Sequence, residues 1–307
     1  MLNCSTAERS TARTTMTNKT GARQHAGLSC IRAEAYAKIN WALFIRGTRS
    51  DGYHELDMLM QTISLSDTLV IEKSDSIQLI VNGEPSKDPE SDLAVKAVRA
   101  LTAFAGRPIG VKIDLTKRIP ARAGLGGGSS DAVNVLLAVK ELYDINISRT
   151  DMKDIALRLG ADVPFFLTGG LCRVRGIGEK IEPLAPLDKK YLVIVRVGEG
   201  LGTKDVYGKY DEMHLPPSIL DMETCMRAFS AGDWELLDEM ELNDLEKPAS
   251  ALMPEIGETK KELRRLGSIF TRMSGSGSAV YGVFHTKEAA QAAADRMRCG
   301  IVCETKS

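Results

Sequence analysis

The stretch Pro120–Val133, PARAGLGGGSSDAV, places four glycines within five positions and two serines after them, just before a run that reads as helix. Backbone this rich in glycine is costly to order unless something must approach it closely. The physical reading is an anion cradle. Glycines let successive amides turn toward one point, and the helix that follows adds its free N–H groups and the positive end of its dipole. Ser129 and Ser130 fall at the junction of turn and helix, where one can cap the helix and the other can contact phosphate or a magnesium ion. Two familiar loops are excluded by inspection. No lysine follows the glycines, as a P-loop requires, and the dinucleotide fingerprint fails because Ser129 stands where its last glycine belongs. A tight strand-to-helix turn without a ligand is the competing reading, and four glycines are more than one turn needs.

Outward from the loop, the chain alternates short strands with helices. Segments 31–47, 58–74, 76–83 and 109–119 read as strands. Segment 92–106 reads as a helix capped by Asp92 and stopped by Gly106, with Leu93, Ala97, Leu101 and Phe104 on one face. After the loop, Ala132, Leu136, Val139 and Tyr143 line a helix, 150–160 gives another, and GGLCRVRG (169–176) returns to strand. Two prolines and several charges make a seam at 182–190. Beyond it lie the buried strand YLVIVRV (191–197), a mostly helical region 203–267, a strand–turn–strand at 268–285 and an amphipathic helix over 286–298. The turn of that last hairpin, RMSGSGSAV, is a second glycine-rich loop. The sum is a mixed α/β chain with a cleft between two layers.

Composition limits the function. The 307 residues are 43% hydrophobic and 26% charged, with 40 basic against 41 acidic side chains, so nothing favours nucleic acid or an anionic membrane surface. The longest apolar runs are far too short to span a bilayer. Six scattered cysteines form no CxxC pair and fit reduced thiols better than a zinc site or a disulfide framework. Residues 1–30 differ from the rest, being rich in Ser, Thr, Arg and Lys with Glu8 as the sole acid. They read either as a disordered extension, with Met16 as a second possible start, or as an organellar transit peptide. The corresponding locations are cytoplasm and plastid.

PARAGLGGGSSDA resembles the phosphate-binding motif of the GHMP kinases, small-molecule kinases with neither a Walker loop nor the protein-kinase fold. The resemblance extends over about residues 31–300. It is carried also by AKIN (37–40), RSDGYHEL (49–56), LGADVPFFL (159–167), SGSGSAVYGVF (274–284) and FSAGDWELLDEMELNDLE, which is similar to a helical stretch of the family around Asn243, Asp244, Leu245 and Glu246. It implies an α+β fold of two domains. The first, 31–185, would be of the ribosomal-protein-S5-domain-2-like type, and the second, 186–307, ferredoxin-like, with the active site in the cleft between them. It implies ATP and Mg2+ as cofactors, and a monomer or homodimer acting on a small cytidine-diphosphate substrate, with no nucleic acid or membrane partner. The implied reaction is phosphorylation of the 2-hydroxyl of 4-diphosphocytidyl-2-C-methyl-D-erythritol. Another GHMP-type alcohol, mevalonate-like or homoserine-like, and a non-catalytic nucleotide sensor are the alternatives. DGYHEL argues against the first, since those relatives have no cytosine to grip, and the presence of both Lys38 and Asp162 argues against the second.

Residue by residue, the resemblance makes Lys38 and Asp162 the catalytic pair. Taken alone, that lysine reads as a solvated charge and that aspartate, before Val-Pro, as a helix cap. Phosphoryl transfer has a loose transition state, so positioning and charge neutralisation count for more than a strong base. A neighbouring ammonium favours the charged form of a carboxylate. The pair therefore implies an aspartate that orients the hydroxyl early and takes its proton late. The nucleotide would lie on Pro120, Ala121, Arg122, Ala123, Gly124, Leu125, Gly126, Gly127, Gly128, Ser129 and Ser130, with Ser130 a candidate magnesium ligand. Arg118 and Arg122 flank this loop, either adding positive field or simply solvated. Asn40, Tyr53, His54 and Tyr207 would contact the substrate. Tyr53 and Tyr207 would clamp the cytosine and His54 would hydrogen-bond its edge. Tyr36, Trp41 and Arg196-Val197 depart from the family pattern and point to altered packing near the substrate.

Overall fold

The computed structural model describes residues 28–307; the segment 1–27, and with it most of the leader, lies outside the described residues. Two sheets organise the chain. The first holds β1 (Cys30–Thr48), β2 (His54–Lys73), β3 (Gln78–Val81), the two-residue β4 (Glu84–Pro85), β5 (Val111–Thr116), β6 (Leu171–Gly176) and β7 (Lys180–Pro183). Long β2 is its spine. It pairs antiparallel with β1 along nearly its whole length, while on its other edge the 56–61 half pairs with β6 and the 68–73 half with β5. The pair β3–β5 is parallel, as its crossover through α1 (Leu93–Ala105) requires.

Helix α1 has the ends its sequence announces. The Asp92 carboxylate accepts from the Ala94 amide, and Gly106 closes the helix with φ 63°. Together α1, α2 (Gly127–Leu142) and α3 (Arg149–Leu159) cover one end of the sheet, burying Leu69, Ile71, Ile113, Val98, Leu101, Leu136 and Val139 in a shared core. A short helix α4 (Val163–Thr168) comes next, over a segment whose sequence left its structure undecided.

The second sheet contains β8 (Tyr191–Arg196), β9 (Phe270–Met273), β10 (Ala279–Phe284) and β11 (Ile301–Glu304), in the antiparallel order β11-β8-β10-β9. Counted within this unit, the order is 4-1-3-2 with a helix before the second and fourth strands, which is the ferredoxin-like arrangement. Helices α5 (Thr203–Glu212), α6 (Met222–Ala231), α7 (Trp234–Glu239), α8 (Glu246–Leu252) and α9 (Glu255–Arg265) fill the first crossover, and α10 (Lys287–Ala294) the second. β4, β7 and β11 are strands that the sequence did not announce.

The two sheets share cores. Trp41 on β1 is fully buried among Phe229, Trp234, Phe270 and Tyr281, with ring centroids 5.4–6.0 Å from it. Backbone bridges Leu43–Asn243 and Ile63–Thr305 also join the units. These contacts correct two expectations. The 243–245 segment is not helical, because the Leu43 amide donates to Leu242 and the Asp244 amide to the Leu43 carbonyl, holding it against β1 until α8 begins at Glu246. Nor do the unusual residues border the cleft: Trp41 belongs to the shared core, and Tyr36 lies beneath the Lys306 ammonium at 4.3 Å. Arg196 pairs with Glu199 at the surface, and Val197 is buried.

Candidate active site

The strand β5 ends at Thr116, and one buried carboxylate holds the chain just beyond it. Asp67, with no solvent exposure, accepts from the amides of Arg118 and Ile119 and from the Lys117 ammonium. Lys117 also reaches Asp131, near the start of α2, at 2.7 Å. The two ends of the glycine loop are thus tied through Lys117. Asp131 is itself buried, with one oxygen unpartnered. Burial above all, opposed by Lys117 and reinforced by the charges of Asp67 and Asp92, pushes its carboxyl up to about 7.

Between these ties the loop turns on left-handed glycines, Gly124 at φ 72° and Gly126 at φ 70°. Gly126, not a serine, occupies the N-cap of α2, and no side chain caps that helix. Its first hydrogen bond is Ser130 N–H to the Gly126 carbonyl, so the amides of Gly127, Gly128 and Ser129 precede the helix's own ladder. This corrects the expectation of a serine cap: the helix begins three residues earlier than a Ser129 cap would place it, on glycine backbone that no hydroxyl is needed to turn. Ser129 lines the cleft, whereas Ser130 is 1% exposed.

The second glycine loop, 274–278, nests against the first. A Cβ on Gly124 would stand 2.0 Å from the Ser274 carbonyl oxygen. The Ser274 hydroxyl donates to the Gly124 carbonyl at 2.9 Å, and the Ala279 amide to the Ala123 carbonyl at 3.1 Å. Asn243 holds this second loop in turn, donating to the carbonyls of Met273 and Gly275. Asp244 beside it accepts from the Ile45 amide, and burial pushes its carboxyl up to about 6.

Lys38 sits where the two loops meet. Its backbone donates to Leu125, and its ammonium lies 2.7 Å from Asn40 Oδ1 and 3.5 Å from Asp162 Oδ2. The lysine side chain is 4% exposed and the aspartate 35%. A Cβ on Gly126 or Gly275 would press on Lys38, at 3.2 Å from Cγ and 3.3 Å from Nζ respectively. Asp162 occupies the N-cap position of α4 but makes no capping bond. Its carboxylate faces the lysine instead, so the bland reading of this residue as a cap does not describe it.

All of this opens on one cavity of about 630 Å³, whose wall includes Lys38, Asn40, Gly124, Ser129, Asp162, Gly275 and, at its far end, Tyr53, His54 and Tyr207. The catalytic candidates and the substrate candidates therefore share a single cleft between the sheets. Tyr53 is 62% exposed at the rim. Tyr207 stacks on the His54 ring at 4.9 Å, and burial, with a smaller push from the Asp162 charge, raises its phenol well above the ordinary range. Of the loop residues, Arg122 and Ala121 are exposed, while Ala123 and Leu125 are buried and serve the fold. Sequence reasoning missed Asp211, Asp67 and Lys117, and gave Asn243 no role. Each is an isolated charge or amide whose partner lies far along the chain, so no local pattern marks it.

Comparison with known proteins identifies the family. The family model for the GHMP kinases N terminal domain matches residues 92–170, and that for the GHMP kinases C terminal matches 225–301. A 4-diphosphocytidyl-2-C-methyl-D-erythritol kinase of Carboxydothermus hydrogenoformans is 41% identical over 249 residues, covering 81% of this chain and 86% of its own. A crystal structure of 4-(cytidine 5'-diphospho)-2C-methyl-D-erythritol kinase superposes with a TM-score of 0.76 at 38% identity, over 90% of this chain and all of that one. Homoserine kinase from Cytophaga hutchinsonii, at 20% identity and a TM-score of 0.67 over 91% of this chain and 95% of its own, shares the fold. The chain belongs to the GHMP kinases, and within them to the 4-diphosphocytidyl-2-C-methyl-D-erythritol kinase family.

Proposed function

We propose that the chain transfers the γ-phosphoryl group of ATP to the 2-hydroxyl of 4-diphosphocytidyl-2-C-methyl-D-erythritol, giving the 2-phosphate and ADP on the non-mevalonate route to isopentenyl diphosphate. One observation carries the residue assignment. A buried ammonium and a partly exposed carboxylate, 3.5 Å apart, lie under two nested glycine loops and face the same cleft as an aromatic and imidazole cluster. The donor's phosphates take the amides at the start of α2, and the alcohol's base takes Tyr53, His54 and Tyr207. Asp162 orients the acceptor hydroxyl. As that oxygen bonds to the γ-phosphorus and the bond from phosphorus to the bridging oxygen breaks, the hydroxyl proton passes to the Asp162 carboxylate. Lys38, held in place by Asn40, offsets the negative charge on the transferring group. In this reading the 31–185 unit supplies nucleotide binding and catalysis, and the 186–307 unit closes the cleft.

Magnesium fits this site as an ion carried by phosphate oxygens and water. Among the described residues no group of three or more His, Cys, Asp or Glu side chains is placed to hold a metal. Mg2+ in nucleotide sites commonly uses only one or two protein ligands beside the phosphates. Ser130, the ligand candidate, is buried, and Ser129 is the loop hydroxyl on the cavity wall. The ion supplies charge neutralisation on the phosphates.

The test is ADP release, measured in a coupled assay with purified protein across the cytidylated substrate, mevalonate and homoserine. Turnover is expected with the first alone. Equal turnover of either of the others removes the substrate assignment.

A further inference from the structure

Helix α5 presents Thr203, Lys204, Tyr207, Gly208 and Asp211 to the cleft, a spacing that puts them on one helical face. The last of these has no part in the phosphoryl transfer. Asp211 Oδ1 lies 2.9 Å from His54 Nε2, bridging α5 to the start of β2. The ring it touches is fixed on two further sides, with Tyr207 stacked over it at 4.9 Å and Tyr210 edge-on at 5.8 Å. The His54 side chain is only 9% exposed, while Asp211 is 58% exposed.

An ionised carboxylate accepts hydrogen bonds and donates none. The proton in this contact therefore belongs to Nε2, and in the neutral ring Nδ1 is left as an acceptor. We propose that Asp211 is a positioning residue that sets the tautomer of His54 and thereby its preference for a base with an amino group over one with a carbonyl at the same place. Cytosine presents an N4 amino donor where uracil presents an oxygen acceptor. Against an Nδ1 lone pair the first makes a hydrogen bond and the second two opposed acceptors. The inference rests on the reading of His54 as a base-contacting residue. It adds the reason that this histidine discriminates between pyrimidines.

The experiment compares CDP and UDP binding by calorimetry, and turnover of the cytidylated substrate, in the parent, Asp211→Asn and His54→Ala proteins. Asparagine keeps the size of the side chain and can turn its amide to donate to Nε2, freeing the other tautomer. The parent is expected to prefer CDP by about 10-fold or more, the worth of one satisfied against one unsatisfied polar contact. In Asp211→Asn that preference should shrink at least about 5-fold, and KM for the cytidylated substrate should rise with KM for ATP unchanged. Nitrogen-15 spectra of histidine-labelled protein, which has four histidines, should show His54 protonated on Nε2 in the parent and redistributed in the variant. If His54→Ala keeps the parent's CDP affinity and preference, the reading of His54 as a base contact falls. If His54→Ala loses the preference but Asp211→Asn retains it and its Nε2–H signature, the role given to Asp211 is overturned while the base contact stands.

Discussion

Two glycines of the 124–128 loop should respond to the same substitution in opposite ways. Gly124 has φ 72°, and a methyl there would stand 2.0 Å from the Ser274 carbonyl oxygen and 3.1 Å from the Gly277 nitrogen. An L-residue in that conformation costs roughly 1–2 kcal/mol. Forcing the two loops apart adds about 1–3 kcal/mol by the usual cost of overpacking. Gly124→Ala should thus lose about 2–5 kcal/mol, lowering the melting temperature by roughly 4 °C or more. It should also raise KM for ATP, because the contacts displaced are those of Ser274 with Gly124 and of Ala279 with Ala123.

Gly128 is the counterpart. It lies in the first turn of α2, and the nearest atom to an added methyl is Leu93 Cδ1 at 3.8 Å. Nothing in the protein requires a glycine there, and glycine in a helix costs roughly 0.5–1 kcal/mol relative to alanine. Gly128→Ala should therefore raise the melting temperature by about 1–3 °C. If the space is kept for phosphate, the same variant should bind a non-hydrolysable ATP analogue on the order of 10-fold more weakly, because the methyl intrudes on the anion. Differential scanning calorimetry and titration calorimetry read the two effects separately. A Gly124→Ala protein as stable as the parent refutes the nesting argument, and a Gly128→Ala protein that binds nucleotide normally refutes the reading that the space beside Gly128 is kept for phosphate.

Three further outcomes are expected. Asp162→Asn should lower kcat by about 100-fold or more while changing KM for ATP little, the range for loss of a positioned proton acceptor; initial-rate kinetics check it, and an unchanged kcat removes Asp162 from the chemistry. Tyr53→Ala should weaken binding of the cytidylated substrate by about 1–3 kcal/mol, the worth of one stacked base face, and leave ATP binding unchanged; titration with each ligand decides. Asp131→Asn should stabilise the protein at pH 8 but have almost no effect at pH 4: with its folded carboxyl raised to about 7, the parent gives up stability as pH climbs from the unfolded value, near 4, through 7, by up to a few kcal/mol. Melting curves across that range test the sign, and a parent that gains on the variant as pH rises contradicts it.

Much of the first unit was legible because its signals are local. Asp92 and Gly106 bound α1 by chemistry that acts within one turn of the helix, and the density of glycine at 124–128 marks the loop without reference to any partner. The missed strands show the limit. β4 and β7 are short edge strands of two and four residues, and β11 comes after a helix at the chain's end, so none has the length over which alternation becomes a pattern. Ser129 and Ser130 misled for a related reason: serine beside a helix start is a sound cap signal, but left-handed Gly126 had already turned the chain. The catalytic candidates were invisible to periodicity altogether. Lys38 reads as one polar position in an amphipathic strand, and only the pairing of β1 with β2 and the arrival of two loops from distant sequence bury it.

That burial bears on why the loops need glycine at all. Protein crowds the backbone at 124–128 at some residues and leaves room at another. At Gly124 and Gly126 the visitor is protein: the Ser274 carbonyl and the Phe166 ring lie within 3 Å of where a side chain would begin, with Lys38 just beyond. These glycines hold the second loop and the lysine in place. At Gly128 a side chain would meet only Leu93 Cδ1, at an ordinary contact distance of 3.8 Å. A buried ammonium is expensive unless paired and hydrogen-bonded, and Lys38 meets that condition through Asn40 and Asp162 only while both loops stay closed over it. Glycine at 124 and 126 thus secures the buried ammonium, and the room beside Gly128 is what the proposed cradle would give to phosphate.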